Sequence, residues 1–278
     1  MSFLLPKSQD RPNQRPPRRV EPASIIAVGS GKGGVGKPFM SITLASAMAQ
    51  AGRRTLLVDG DLGLANVDVQ LGIAPETDLA AVIAGWVELE DAVTPVDGGS
   101  ASGGFDVLPG RSGSGALAEM NSEEVARLAA GLSALALQYD QVILDLGAGI
   151  EANCMRLARA ADKVLMVITD EPTSMTDAYA FIKVLKGYAP GVEQTIAINQ
   201  CETRSAGQNT FSAVAQACQT FLGFRPHLAG TIMRDDAVRE AIRSQRTLIS
   251  TNPSSQPIQD VIAIAHTLLG RTGQDLHS

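Results

Sequence analysis

Cysteine is scarce in this 278-residue chain. Cys154, Cys201 and Cys218 stand far apart with no CxxC pair, which excludes a disulfide framework and a zinc site and leaves three thiols to be buried as small apolar groups. Long hydrophobic runs are missing as well. No apolar stretch approaches the roughly 20 residues that a membrane span requires. The start, MSFLLPKSQD, holds too short an apolar patch for the central region of a signal peptide, so a cytoplasmic chain is expected. Positive charge is in short supply beyond the first twenty residues. Those carry Lys7, Arg11, Arg15, Arg18 and Arg19 against Asp10 alone, so with the whole chain at −6 the remainder holds roughly −10. An acidic body of that kind disfavours broad coating of nucleic acid. What is abundant is apolar residue, 45% of the chain, enough to fill the core of one large α/β domain.

Residues 1–22 hold Pro6, Pro12, Pro16, Pro17 and Pro22 among Arg, Gln and Asn, a composition that builds no core and reads as a mobile arm. From residue 23 to 278 a single domain is expected. Short apolar strands are predicted over Ser24–Val28, Arg54–Asp59, Phe105–Leu108, Gln141–Asp145, Lys163–Thr169, Thr195–Asn199 and Leu228–Met233. Helical stretches lie between most of them, among them Met40–Ala51, Ser122–Gln138, Thr173–Gly187, Gly207–Phe221 and Asp236–Gln245. Continuous apolar strands alternating with helices predict an α/β three-layer sandwich with a mostly parallel sheet covered on both faces. Ligands then lie at the carboxyl ends of strands.

The first such end carries Ser30 to Lys37, SGKGGVGK. Gly31, four residues, then Gly36 and Lys37 is the spacing of a phosphate-binding P-loop. Gly31, Gly33, Gly34 and Gly36 let the backbone curl around Lys32 and Val35 so that successive N–H groups and the positive end of the following helix can hold an anion. Lys37 would reach the terminal phosphates. The motif calls next for Ser or Thr, whose hydroxyl ligates magnesium, and this chain has Pro38 and then Phe39. Proline offers neither hydroxyl nor N–H, yet it is comfortable in a helix's first turn. The fold should survive while the magnesium site weakens and turnover slows. At the second strand's end Asp59 and Asp61 flank Gly60, close to where phosphates and magnesium would lie. Asp145 ends the apolar run QVILD, a position suited to holding the metal.

KGGVGK with its early lysine resembles the deviant P-loop of the MinD/ParA group of ATPases. Along nearly the whole folded part, DGDLGLANVDVQLG, GFDVLPGRSG, DEPTSMTDAYAFIK and RDDAVREAIRSQR resemble the flagellar number and placement regulators of that group, the FlhG type (also FleN or YlxH). The resemblance implies ATP and Mg²⁺ as ligands and an ATP-bound homodimer in which Lys32 crosses to the partner's phosphates. Catalytic roles would fall on Lys32, Lys37 and Asp61, the last orienting the attacking water, and metal contact on Asp145 and Asp59. Nucleotide contact would come from residues 31–39 and from Gly149, whose N–H would sense the γ-phosphate in a segment like the family's second switch. Asn199 would read the adenine, and Arg234 and Asp235 belong to a base-enclosing loop in which Met233 replaces the usual proline.

Partners implied are a signal-recognition-type GTPase (FlhF), a C-ring protein or a flagellar transcription activator, with a location in the cytoplasm, at the pole or peripheral to the inner membrane. The family's Gln-containing motif for FlhF is not evident in residues 1–22. The apolar face Ile258, Val261, Ile262, Ala265, Leu268 and Leu269 has no lysine opposite it, so core packing is expected over a lipid-surface role. Two alternatives stand beside the switch ATPase. One is a nucleotide-binding regulatory module that does not hydrolyse, because of Pro38. The other is a ParA-type partition protein binding DNA, disfavoured by the acidic body. An iron–sulfur carrier is excluded by the lack of paired cysteines.

Overall fold

The computed structural model describes residues 23–61, 63–110 and 120–270. The arm expected over residues 1–22 and most of the expected GRSGSG turn lie outside the described residues. In chain order the elements are β1 (Ser24–Ser30), α1 (Lys37–Gln50), β2 (Thr55–Gly60), α2 (Val67–Leu71), α3 (Leu79–Ile83), a 3₁₀ turn (Glu90–Ala92), β3 (Thr94–Val96), β4 (Phe105–Leu108), α4 (Ser122–Ala136), β5 (Gln141–Ala148), α5 (Ala152–Arg159), β6 (Lys163–Ile168), α6 (Pro172–Tyr188), β7 (Glu193–Cys201), α7 (Arg204–Leu222), β8 (His227–Met233), α8 (Asp236–Arg243), α9 (Leu248–Thr251) and α10 (Gln256–Leu268).

The strands form one sheet in the order β3-β4-β2-β5-β1-β6-β7-β8. All neighbours are parallel except the short edge strand β3, which runs antiparallel to β4. β1 sits in the middle, with β2 to one side of it and β6 to β8 to the other. The order of strands reverses about β1, so the loop leaving it opens onto the crevice where such sheets bind ligands.

Strand side chains alternate between two cores. Ile196 and Ile198 of β7 join the cluster under α4 to α7, whereas Ala197 joins the one that includes α1 and α10. Helix α1 is enclosed: every residue from Phe39 to Ala49 is buried, which is why it shows apolar and small polar residues all round rather than a stripe. Helix α10 buries Ile258, Val261, Ile264, Ala265 and Leu268 and packs on β8 and α1. Its buried Asp260 accepts hydrogen bonds from Met233 N (2.9 Å) and Gln256 Nε2 (2.9 Å) and pairs with Arg204, which ties α7, β8 and α10 together. Among the described residues no helix is long and apolar enough to cross a membrane.

Several boundaries differ from the sequence expectation. β5 runs past Asp145 to Ala148, because β1 also extends and pairs Ser30 with Ala148 across a register shift. Helix α1 begins at Lys37 rather than Met40, with Pro38 inside its first turn. α8 stops at Arg243, two residues early, and Gln245 takes a left-handed φ of 53°. β3, α2, α3, α5 and α9 are additional, and most of them are too short to show a periodic pattern.

Candidate nucleotide site

The loop between β1 and α1 is shaped by what surrounds it. At Gly31 a Cβ would lie 2.2 Å from the backbone carbonyl carbon of Asp177 in α6, so only glycine lets the strand end pass that helix. Gly36 caps α1 with φ +89°, a region that costs other residues energy. A Cβ there would also lie 2.4 Å from Asn199 Nδ2. Asn199, buried at the end of β7, donates from Nδ2 to the Val35 carbonyl at 2.8 Å and accepts from Gln200 N at 2.9 Å. Gln200, with a left-handed φ of 59°, reaches Gly34 O at 3.4 Å. Two consecutive amide side chains thus brace the loop from β7, and Asn199, with one N–H given to the loop, also lines the cavity beside α8.

Lys37, nearly buried, ends 3.7 Å from Asp145 Oδ1 and 3.9 Å from Asp61 Oδ2. The structure brings these three together. Asp61 accepts from the N–H groups of Gly63 and Leu64, which winds its own loop around it. Asp145 accepts from the Ser41 hydroxyl at 2.8 Å. Burial pushes the Asp145 carboxyl up to about 6, against the opposing pull of the Lys37 ammonium and the Ser41 hydroxyl. Asp59 is enclosed differently. Its two oxygens take N–H groups from Asp61, Asn66 and Val67, so it fastens the start of α2 back to β2. Burial and the neighbouring Asp145 push it to about 7.

No three His, Cys, Asp or Glu side chains among the described residues gather as a metal cage. The carboxylates of Asp145 and Asp61 beside Lys37 still fit magnesium, a hard ion held by one or two carboxylates while waters and phosphate oxygens fill its other positions. Asp59, with both oxygens engaged, contributes less to that donor set.

One cavity borders the loop and another borders Asp61. The first, of about 290 Å³, lies between the loop and α8, lined by Gly36, Phe39, Asn199, Arg234, Asp235 and Arg239 among others. Within it Asp235 caps α8 through Ala237 N, and Arg234 pairs with Glu202 at 2.8 Å. The other, about 210 Å³, is lined by Asp61, Leu64, Gly147, Glu151 and Cys154. Gly149 stands apart from both linings. Its N–H donates to Ser30 O at 2.9 Å and its φ is +90°. Lys32 is also turned away from the loop's concavity: its ammonium binds Glu171 Oε2 (2.5 Å) and Thr173 Oγ1 (3.0 Å) at the start of α6.

Sequence reasoning missed Ser41, Gln200, Glu171, Thr173 and Arg239. None carried a local signal: Ser41 is one of three small polar residues, with Thr43 and Ser46, buried in α1. Cys154, Cys201 and Cys218 are all buried and free.

The family model described as an AAA domain matches residues 23–198. Among curated proteins, the antiactivator FleN of Pseudomonas aeruginosa is 38% identical over 85% of this chain and 83% of its own length. The flagellum site-determining protein YlxH of Helicobacter pylori is 27% identical over 89% and 82%. Among solved structures, the septum site-determining protein MinD of Pyrococcus horikoshii, complexed with Mg-ADP, superposes with a TM-score of 0.74 at 25% identity, covering 88% of this chain and 96% of that one. The family model spans the loop, Asp59, Asp61 and Asp145 and strands β1 to β6 with most of β7, and the chain belongs to the MinD/ParA group of P-loop ATPases, as an FlhG-like member.

Proposed function

We propose that this chain is an ATP-gated switch that closes into a homodimer around nucleotide and regulates the number or placement of flagella. The observation that carries this is the convergence of Lys37 on Asp61 and Asp145 beneath a glycine loop, in a chain similar to an antiactivator named FleN and a flagellum site-determining protein. Backbone N–H groups from Gly31 to Lys37 hold the phosphate tail, and Lys37 neutralises its terminal charge. Phosphoryl transfer asks the protein for positioning and charge more than for covalent chemistry. Asp61 orients a water, and Asp145 is the protein's contact to the metal. Magnesium, when bound with the nucleotide, supplies charge neutralisation at the transferred phosphoryl group. The base occupies the cavity between Phe39, Arg234, Asp235 and Arg239. Lys32 leaves Glu171 to reach the partner's nucleotide as the dimer closes. The functional partner is a flagellar GTPase, a rotor protein or a transcription activator.

A second reading, a nucleotide sensor without turnover, is favoured by Pro38, which removes the motif's magnesium hydroxyl. Sedimentation with ATP, with ADP and without nucleotide, alongside phosphate release, tests both. We expect an ATP-dependent dimer that Lys32→Ala abolishes, with slow release. A parent that stays monomeric at saturating ATP refutes the switch, and release at the rate of Pro38→Thr refutes the weakened metal site.

A further inference from the structure

Helix α1 carries a buried hydroxyl that reaches beyond its own helix to the Asp145 carboxylate. Ser41 is fully buried, and its Oγ lies 2.8 Å from Asp145 Oδ1 and 3.2 Å from Lys37 O. One hydroxyl proton cannot serve both acceptors, and the shorter contact, to a carboxylate, takes it. Asp145 is 1% exposed and sits where β5 passes under the loop. The Lys37 ammonium, at 3.7 Å, is too far to fix the carboxylate's rotation. The direct ligand that a P-loop places after its lysine is lost to Pro38, so the protein's hold on magnesium falls on carboxylates alone, and the orientation of Asp145 matters more than it would beside a hydroxyl at position 38. Ser41 is one helical turn beyond that position, on the turn that faces β5.

We infer that Ser41 is a positioning residue for the metal: its hydroxyl fixes Oδ1 of Asp145 and so leaves the second carboxylate oxygen aimed for magnesium, compensating within α1 for the ligand that Pro38 removes. This rests on the nucleotide reading above. Ser41 touches neither nucleotide nor metal. Its effect is confined to the magnesium-dependent part of binding.

The test is titration of a fluorescent ADP analogue into the full chain, in Mg²⁺ and in EDTA, for the parent, Ser41→Ala, Ser41→Thr and Pro38→Thr with and without Ser41→Ala. We expect Ser41→Ala to weaken binding in Mg²⁺ about tenfold, the equilibrium worth of one charge-assisted hydrogen bond, and to leave binding in EDTA unchanged. Ser41→Thr keeps the parent's values, and Pro38→Thr cuts the effect of Ser41→Ala to threefold or less. Equal weakening in Mg²⁺ and EDTA, or none in either, overturns the proposal while the nucleotide site stands. Absence of binding by the parent in both media overturns the nucleotide reading and the proposal with it. Should Ser41→Ala lose its cooperative unfolding transition, Ser41→Cys, similar in size and a weaker donor, takes its place with the same expected split.

Discussion

Replacing Gly36 by alanine should destabilise the protein through two separable effects. The first is backbone: a non-glycine residue at φ +89° loses about 1–2 kcal/mol. The second is the neighbour. The new Cβ would sit 2.4 Å from Asn199 Nδ2, and that nitrogen is not free to yield, because it donates to Val35 O at 2.8 Å. Moving it breaks a buried hydrogen bond of about 1 kcal/mol. The total of about 2–3 kcal/mol corresponds to a fall in Tm of roughly 4–12 °C for a chain of this size. Thermal unfolding of Gly36→Ala, Asn199→Ala and the double variant, without nucleotide, separates the two. Once Asn199 is alanine the clash is gone, so the double variant should be about 1 kcal/mol more stable than the sum of the singles predicts. Additivity within about 0.3 kcal/mol would refute the contact. The same variants bear on what Asn199 does for the ligand. A loop brace predicts that Asn199→Ala weakens tripolyphosphate, which has no base, as much as it weakens ATP. Loss for ATP alone would assign Asn199 to base recognition.

Pro38→Thr should strengthen nucleotide binding in Mg²⁺ and raise phosphate release, because it restores the hydroxyl ligand; steady-state release against Mg²⁺ concentration checks it, and unchanged Mg²⁺ dependence counts against the assigned metal position. Glu171→Gln should lower the Tm by no more than about 4 °C, since the pair it forms with Lys32 is exposed and such pairs contribute about 0–1 kcal/mol, while raising the apparent affinity of ATP-dependent dimerisation a few-fold, as read by sedimentation at several protein concentrations. Burial pushes the thiols up, Cys154 to about 12 and Cys201 and Cys218 to about 11, so the folded protein should resist iodoacetamide at pH 8 and react at all three cysteines only in denaturant. Rapid labelling of the folded chain at Cys154, which lines the cavity beside Asp61, would show that this cavity opens in solution.

How much of this was legible in the sequence follows from the distance over which each feature is encoded. The loop and the two acids of the DGD segment are contiguous with the strands that carry them, and Asp145 ends its own apolar run, so the convergence near Lys37 could be expected before any coordinates. The sheet was legible for the same reason, since buried parallel strands announce themselves as short apolar runs. Contacts that join distant parts were not. Asn199 to Val35, Ser41 to Asp145 and Lys32 to Glu171 span 164, 104 and 139 residues, and each depends on strand register and helix phase together. Asn199 was expected to face the base, and Asp59 the metal. The structure adds hydrogen bonds from Asn199 to the loop backbone and from the start of α2 to Asp59, contacts no local pattern announced. β3 was missed because a three-residue edge strand containing Pro95 has almost no strand signal.

Two groups that the dimeric, nucleotide-bound arrangement would need are engaged elsewhere in this conformation: the Lys32 ammonium at Glu171 and Thr173, and the Gly149 N–H at Ser30 O. Both engagements are weak by construction. The Lys32 side chain is 33% exposed and Glu171 60%, so water competes for each charge and salt screens what is left. The Gly149 bond joins two segments, the ends of β1 and β5, at a point where their register has already shifted, and a neutral hydrogen bond contributes only about 1 kcal/mol. Releasing both, with the Lys32–Thr173 hydrogen bond counted, costs about 3 kcal/mol at most, which a ligand offsets by binding the released state roughly 150-fold better. In the switch proposed above, the phosphate tail that recruits the Lys32 ammonium and the Gly149 N–H has to supply that margin. That switch therefore needs nucleotide and the second subunit together to supply it before Lys32 leaves Glu171.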